Sequence, residues 1–162
     1  MLIIGCGNRQ RGDDGAGLLV AERLQELGIE AEMRAGEAAD LIEAWQHAYD
    51  VIVIDAVLTG APAGTVQTWD GRQSLGSSSP TVSTHGFGVA EAIALAHALD
   101  RLPRRLRVYG VEGRSFESGA AISPEVMLGV EEVVRRIVAD VIAPRENGPI
   151  KSVETHAFEF TA

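Results

Sequence analysis

Three segments of the chain carry side chains whose types could do chemistry together. The first, "GCGNRQRGDDGAG" (5–17), places two adjacent aspartates, Asp13 and Asp14, just behind a glycine-rich turn. The second, "VIVIDAV" (51–57), is an apolar run that ends in a carboxylate, Asp55. The third, "STHGFG" (83–88), sets His85 beside glycines that let a backbone approach something closely. Two carboxylates and an imidazole converging on one point would form a mixed oxygen and nitrogen site for a divalent cation, with positions left open.

A glycine-rich turn after a strand more often receives a phosphate, so that reading competes. The dinucleotide fingerprint G-x-G-x-x-G needs its third glycine at position 10, where this chain has Gln10. The entrance to the following helix, where a pyrophosphate would sit, holds Asp13 and Asp14 instead. Like charges about 4 Å apart repel by roughly 4 kcal/mol at an effective dielectric of 20. Only Arg34, at the end of the second predicted strand, offers a partner for a nucleotide 2′-phosphate. The loop therefore reads as built around a cation. Asp13 is expected to cap the helix, Asp14 to act as ligand, and Asn8 to tie the turn by an Asx-type hydrogen bond. His47, His97 and His156 are read as packing or surface residues.

Other catalytic patterns are missing from the sequence. It contains no G-x-S-x-G elbow and no H-E-x-x-H helix, and Cys6 has no evident histidine partner. A Ser83–His85 pair lies only two residues apart, which says little.

Positioning these residues falls to alternating strands and helices. Strands are predicted at Leu2–Gly5, over "IEAEMR" (29–34), over "DVIVIDAV" (50–57), over "TVQTWD" (65–70) as a half-polar edge, and over "LRVYGV" (106–111). Helices are predicted over Asp14–Leu27, Ala38–His47 and Phe87–Leu99. A last helix, through Val141, has Ser123 as its cap and Pro124 at its first position. Alternation of this kind implies an α/β fold with a mostly parallel sheet, whose ligands collect at the carboxyl ends of the strands. Asp14, Asp55 and His85 all fall at such ends or in nearby loops. Residues 71–84, "GRQSLGSSSPTVST", are the longest predicted loop. Residues 1–143 are expected to form a single catalytic α/β domain, and 144–162, which lose helical periodicity, a flexible C-terminal tail.

Composition narrows the partners. A net charge of −9 over 162 residues argues against nucleic acid and against acidic membrane surfaces. One cysteine permits no internal disulfide, and "MLIIG" is too short for a signal peptide. A cytoplasmic, soluble monomer without a membrane span is the expectation.

The motifs "GCGNRQRGDDGAG", "VIVIDAV" and "STHGFGVAEAI", in this order and at these separations, resemble the nickel–iron hydrogenase maturation endopeptidases. The later "RVYGVEG" strand and its helix are also similar, whereas the terminal tail adds nothing. The resemblance implies a three-layer α/β/α sandwich around a twisted, mostly parallel five-stranded sheet, with "TVQTW" as the antiparallel strand. It implies an endopeptidase of aspartyl type that removes the C-terminal extension of the hydrogenase large-subunit precursor after nickel insertion. It places the nickel ligands and catalytic groups at Asp14, Asp55 and His85, the nickel arriving with the precursor rather than residing in the protein. Another divalent ion is expected to fill the site in vitro. The rival readings are a nucleotide- or metal-binding module, or a maturation chaperone, without peptidase activity. One departure stands out: many relatives have an Asp-Gly-Gly-Thr-like loop after the second strand. This chain has "RAGEAADL", with Arg34 at the aspartate position and Glu37 three residues later. Either Glu37 substitutes or that carboxylate is not needed.

Overall fold

The structure, a computed structural model, describes residues 1–73 and 87–143, with Phe87 described in its backbone only. Five strands form one sheet: β1 (Leu2–Cys6), β2 (Glu32–Arg34), β3 (Asp50–Val57), β4 (Val66–Asp70) and β5 (Arg105–Glu112). Their spatial order is β2-β1-β3-β5-β4. Every pairing is parallel except β4 against β5. The half-polar run at 66–70 is thus the antiparallel edge strand.

Strand β3 is apolar without interruption because helices cover both of its faces, and all of Val51–Val57 is buried. Its even residues, Ile52 and Ile54, pack with α1 (Ala16–Glu26) and α4 (Pro124–Ile142). Its odd residues, Val51 and Val53, pack under α2 (Ala38–Trp45) and α3 (Phe87–Ala98). The three layers follow from this two-residue alternation. By the same alternation Asp55 belongs to the α2/α3 face, where Cys6 also lies.

Three expected elements are shorter than their patterns by two residues or more. Helix α1 starts at Ala16, preceded by a 3₁₀ turn over Gly12–Gly15, because Asp13 N–H is drawn to Ser115 O and Asp14 N–H to Arg11 O. Strand β2 begins at Glu32 rather than Ile29, since the Ile29 N–H bonds back to Leu24 O and closes the end of α1. Helix α2 ends at Trp45, where Ala48 N–H turns back onto the Trp45 carbonyl. Ser123 does occupy the position before α4 with Pro124 next, but its side chain makes no cap bond there; the hydroxyl donates to Asp13 instead. The expected tail, 144–162, lies outside the described residues, as does most of the predicted loop. Among the described residues no helix is long and apolar enough to cross a membrane.

Candidate active site

The strand order reverses between β1 and β3: β1 leads outward to β2, β3 leads the other way to β5. That switch point is where α/β folds open a crevice beyond the strand ends, and Asp14 and Asp55 flank it. Helix α1 reaches it only because Gly17 has no side chain; a Cβ there would run into the carbonyl oxygens of Cys6 and Ile54. Gly7, at φ 141, gives way to the Asp14 carbonyl in the same manner, and Asn8 N–H donates to that carbonyl at 3.2 Å. The Asx bond expected of Asn8 is present, with Gln10 N–H donating to Asn8 Oδ1 at 2.9 Å. The glycines of this loop thus serve backbone packing, and the close approach brings Asp14 to Asp55.

Asp55 is only 7% exposed. Among the described residues its carboxylate receives one donor, the N–H of its own neighbour Ala56, at 2.9 Å. Burial, and then the charge of Asp14, push its pKa up to about 8. A carboxylate so placed is neutral around pH 7 unless a cation joins it, and hard oxygen donors suit a divalent ion. The charge of Asp14 is felt at Asp55, which places the two expected carboxylates near one another. Among the described residues no group of three His, Cys, Asp or Glu side chains is arranged to hold a metal ion. The third expected member, His85, lies outside the described residues.

Asp13 does something other than cap a helix. Its carboxylate is fully buried and accepts from Arg114 N (2.8 Å), Ser115 N (2.9 Å), Ser123 N (2.6 Å) and Ser123 Oγ (2.8 Å). Burial raises its pKa, but these four donors outweigh burial and hold it below the usual carboxylate value. It staples the segment between β5 and α4 to the loop that carries Asp14. Glu112, also fully buried, was passed over by the sequence reading. It accepts from Thr59 N, Thr59 Oγ1 and Gly60 N, and so fixes the turn that follows β3. Its signal was available, since "VYGVE" ends an apolar strand in an acid just as "VIVID" does.

Arg34 is not free to meet a phosphate. Its guanidinium donates to Glu32 Oε2 through Nε (3.0 Å) and Nη2 (2.8 Å), and to Asp40 Oδ1 through Nη1 (2.6 Å). Glu37 is exposed, at the start of α2, while the acid of α2 that pairs with Arg34 is Asp40. Cys6 feels burial first, then the charges of Asp55 and Asp40, all raising its thiol pKa. It is a neutral packing thiol that roofs the same strand end.

A family model described as hydrogenase maturation protease matches residues 19–140, which is most of the chain. The chain belongs to the hydrogenase maturation protease family. The matched span contains Asp55 and begins just after the Asp14 loop. Among curated relatives of the family, the hydrogenase expression/formation protein HupD of Thiocapsa roseopersicina is 27% identical over 135 residues. That alignment takes in 78% of this chain and 60% of HupD, so the chain spans less than two thirds of that relative. HoxM of Azotobacter vinelandii is 27% identical over 151 residues, covering 90% of this chain and 73% of HoxM. Of solved structures, the NiFe hydrogenase maturation protease HybD from Thermococcus kodakarensis superposes with a TM-score of 0.65 at 27% identity. It covers 86% of this chain and 97% of its own. The E. coli hydrogenase maturating endopeptidase HybD gives 0.69 at 22% identity, over 86% and 90% of the two chains, a likeness of fold.

Proposed function

We propose that this protein is an endopeptidase that removes the C-terminal extension of a nickel–iron hydrogenase large-subunit precursor. In this reading nickel already held by the precursor is the recognition element, and Asp14, Asp55 and His85 complete its coordination. The observation that carries the proposal is the state of Asp55, a buried carboxylate that feels the charge of a second carboxylate, Asp14, and has no cationic partner among the described residues. In a member of this family, such a pair is suited to a cation that arrives with the substrate.

Chemistry then needs only positioning and a base. Nickel carried in by the precursor would anchor its tail and act as a Lewis acid near the scissile carbonyl. Water attacks that carbonyl carbon while a carboxylate, Asp14 or Asp55, takes its proton. The C–N bond breaks as the departing amine gains a proton, and the new C-terminus forms as a carboxylic acid. The absence of nickel would leave the precursor unanchored and uncut, which makes the metal a checkpoint. The protein acts, on this reading, as a cytoplasmic monomer.

The test is processing of purified precursors with and without nickel, followed by mass spectrometry. Loss of one C-terminal peptide only in the nickel-loaded sample is expected; binding without any cleavage would make the protein a chaperone. Calorimetry of the isolated protein should give weak nickel binding, because the protein supplies only part of a coordination shell. Nanomolar affinity would place the metal in the protein instead.

A further inference from the structure

At the opposite end of the sheet a second concavity lies between the end of α2 and the turn that follows α3. It measures about 360 Å³, within the range of small-ligand sites. Its wall includes Trp45, His47, Tyr49, Arg101 and Arg104. The Asp50–Asp55 length of β3, roughly 17 Å at the rise of a strand, separates it from the candidate active site.

Three donors carried by residues of this wall have no acceptor among the described residues. Trp45 is 1% exposed, and its indole N–H makes no hydrogen bond among the described residues. Buried donors in folded proteins are paired in the great majority of cases. Among the described arginines, Arg101 and Arg104 alone make no side-chain hydrogen bond or ion pair with a described residue. Both line this one cavity, in a chain whose net charge is −9. The acid on the same wall, Asp100, forms no ion pair with either.

The backbone fixes where Arg101 stands. Arg101 N–H bonds to Ala96 O and Asp100 N–H to His97 O, which is the Schellman closure of α3. Asp100 takes the left-handed position of that closure at φ 53, where glycine would be unstrained. A closure maintained despite this strain, with a guanidinium set at its exit, is the kind of local feature found at binding sites.

We propose that this cavity binds a small oxyanion, a carboxylate or phosphoryl group of a low-molecular-weight ligand. Arg101 and Arg104 supply the charge and the forked donors, and an oxygen seated against Trp45 supplies the acceptor its N–H lacks. The site is independent of the cleavage centre.

Calorimetric titration of the full chain with inorganic phosphate and, separately, with citrate tests this against sodium chloride of equal ionic strength. Tryptophan emission, read in parallel in a Trp69→Phe variant, reports on Trp45 alone. Saturable binding with a dissociation constant near or below about 1 mM is expected for at least one probe. The probe that binds names the phosphoryl or the carboxylate source. Arg101→Ala and Arg104→Ala, both at exposed positions, should each weaken it about tenfold, the loss of one charge-assisted hydrogen bond. Trp45→Phe should weaken it further while keeping the core filled. No saturable response to either probe, or affinity unchanged in both arginine variants, overturns the proposal.

Discussion

Asp13 and Asp55 are both buried carboxylates, yet they are treated in opposite ways. Asp13 receives four donors and is held ionised; among the described residues Asp55 receives one donor and is driven toward its neutral form. A fully solvated charge can be moved into a protein at tolerable cost only where donors replace the lost water. Asp13 has that replacement and repays it by fastening the β5–α4 segment to the Asp14 loop. Among the described residues Asp55 has a single donor, so its burial as an ion is unfavourable. Donor count among the described residues, rather than residue type, separates the two acids. Glu112, with three donors, falls on the structural side.

The largest effects should fall on cleavage. Asp55→Ala and Asp14→Ala are each expected to abolish precursor processing while circular dichroism shows an intact fold, and His85→Ala should do the same. An active Asp55→Ala protein would dissolve the distinction between the two acids. Next in size is Asp13→Ala, which strands three N–H groups and a hydroxyl in the interior. Urea unfolding should show a loss on the order of 3–5 kcal/mol, in the range found when a buried charge loses its partners. Asp55→Asn should leave stability unchanged or raise it at neutral pH, the reverse of Asp13.

Acidity sharpens the same contrast. The folded state holds a proton on Asp55 up to about pH 8, well above its unfolded value of 3.8, so the folded state binds more protons over that interval. In the presence of a chelator, stability should therefore fall as pH rises from about 4 toward 8, and Asp55→Asn should remove that slope. Asp13 runs the other way. Its folded pKa is lowered, so its contribution is present above 3.8 and is lost as pH falls below that value, through the folded pKa. Urea midpoints measured across this range in both variants check the two signs. The smallest effect belongs to Arg34→Ala, whose ion pairs with Glu32 and Asp40 are partly exposed. Less than about 1 kcal/mol of stability should be lost, with cleavage retained; lost cleavage in a stable protein would give Arg34 a part in recognising the precursor.

Much of the scaffold was legible in the linear chain. The strand at 50–57 was marked by an unbroken apolar run, because burial on both faces leaves no position for a polar side chain. The edge strand at 66–70 was marked by its half-polar alternation. Boundaries were less legible wherever a backbone group found a distant partner. The start of α1 depends on Asp13 N–H reaching Ser115, and the start of β2 on Ile29 closing the preceding helix. The role of Asp13 itself was hidden for the same reason, since its donors lie about a hundred residues downstream.

The sequence by itself determined which residue types stand at the strand ends, and periodicity determined the order of strands and helices, because side-chain burial repeats locally. Only the tertiary structure decided which of the three buried acids among the described residues is short of donors there. Hydrogen-bond satisfaction depends on groups remote in the chain, and "VIVID" and "VYGVE" look alike until those groups are brought into place.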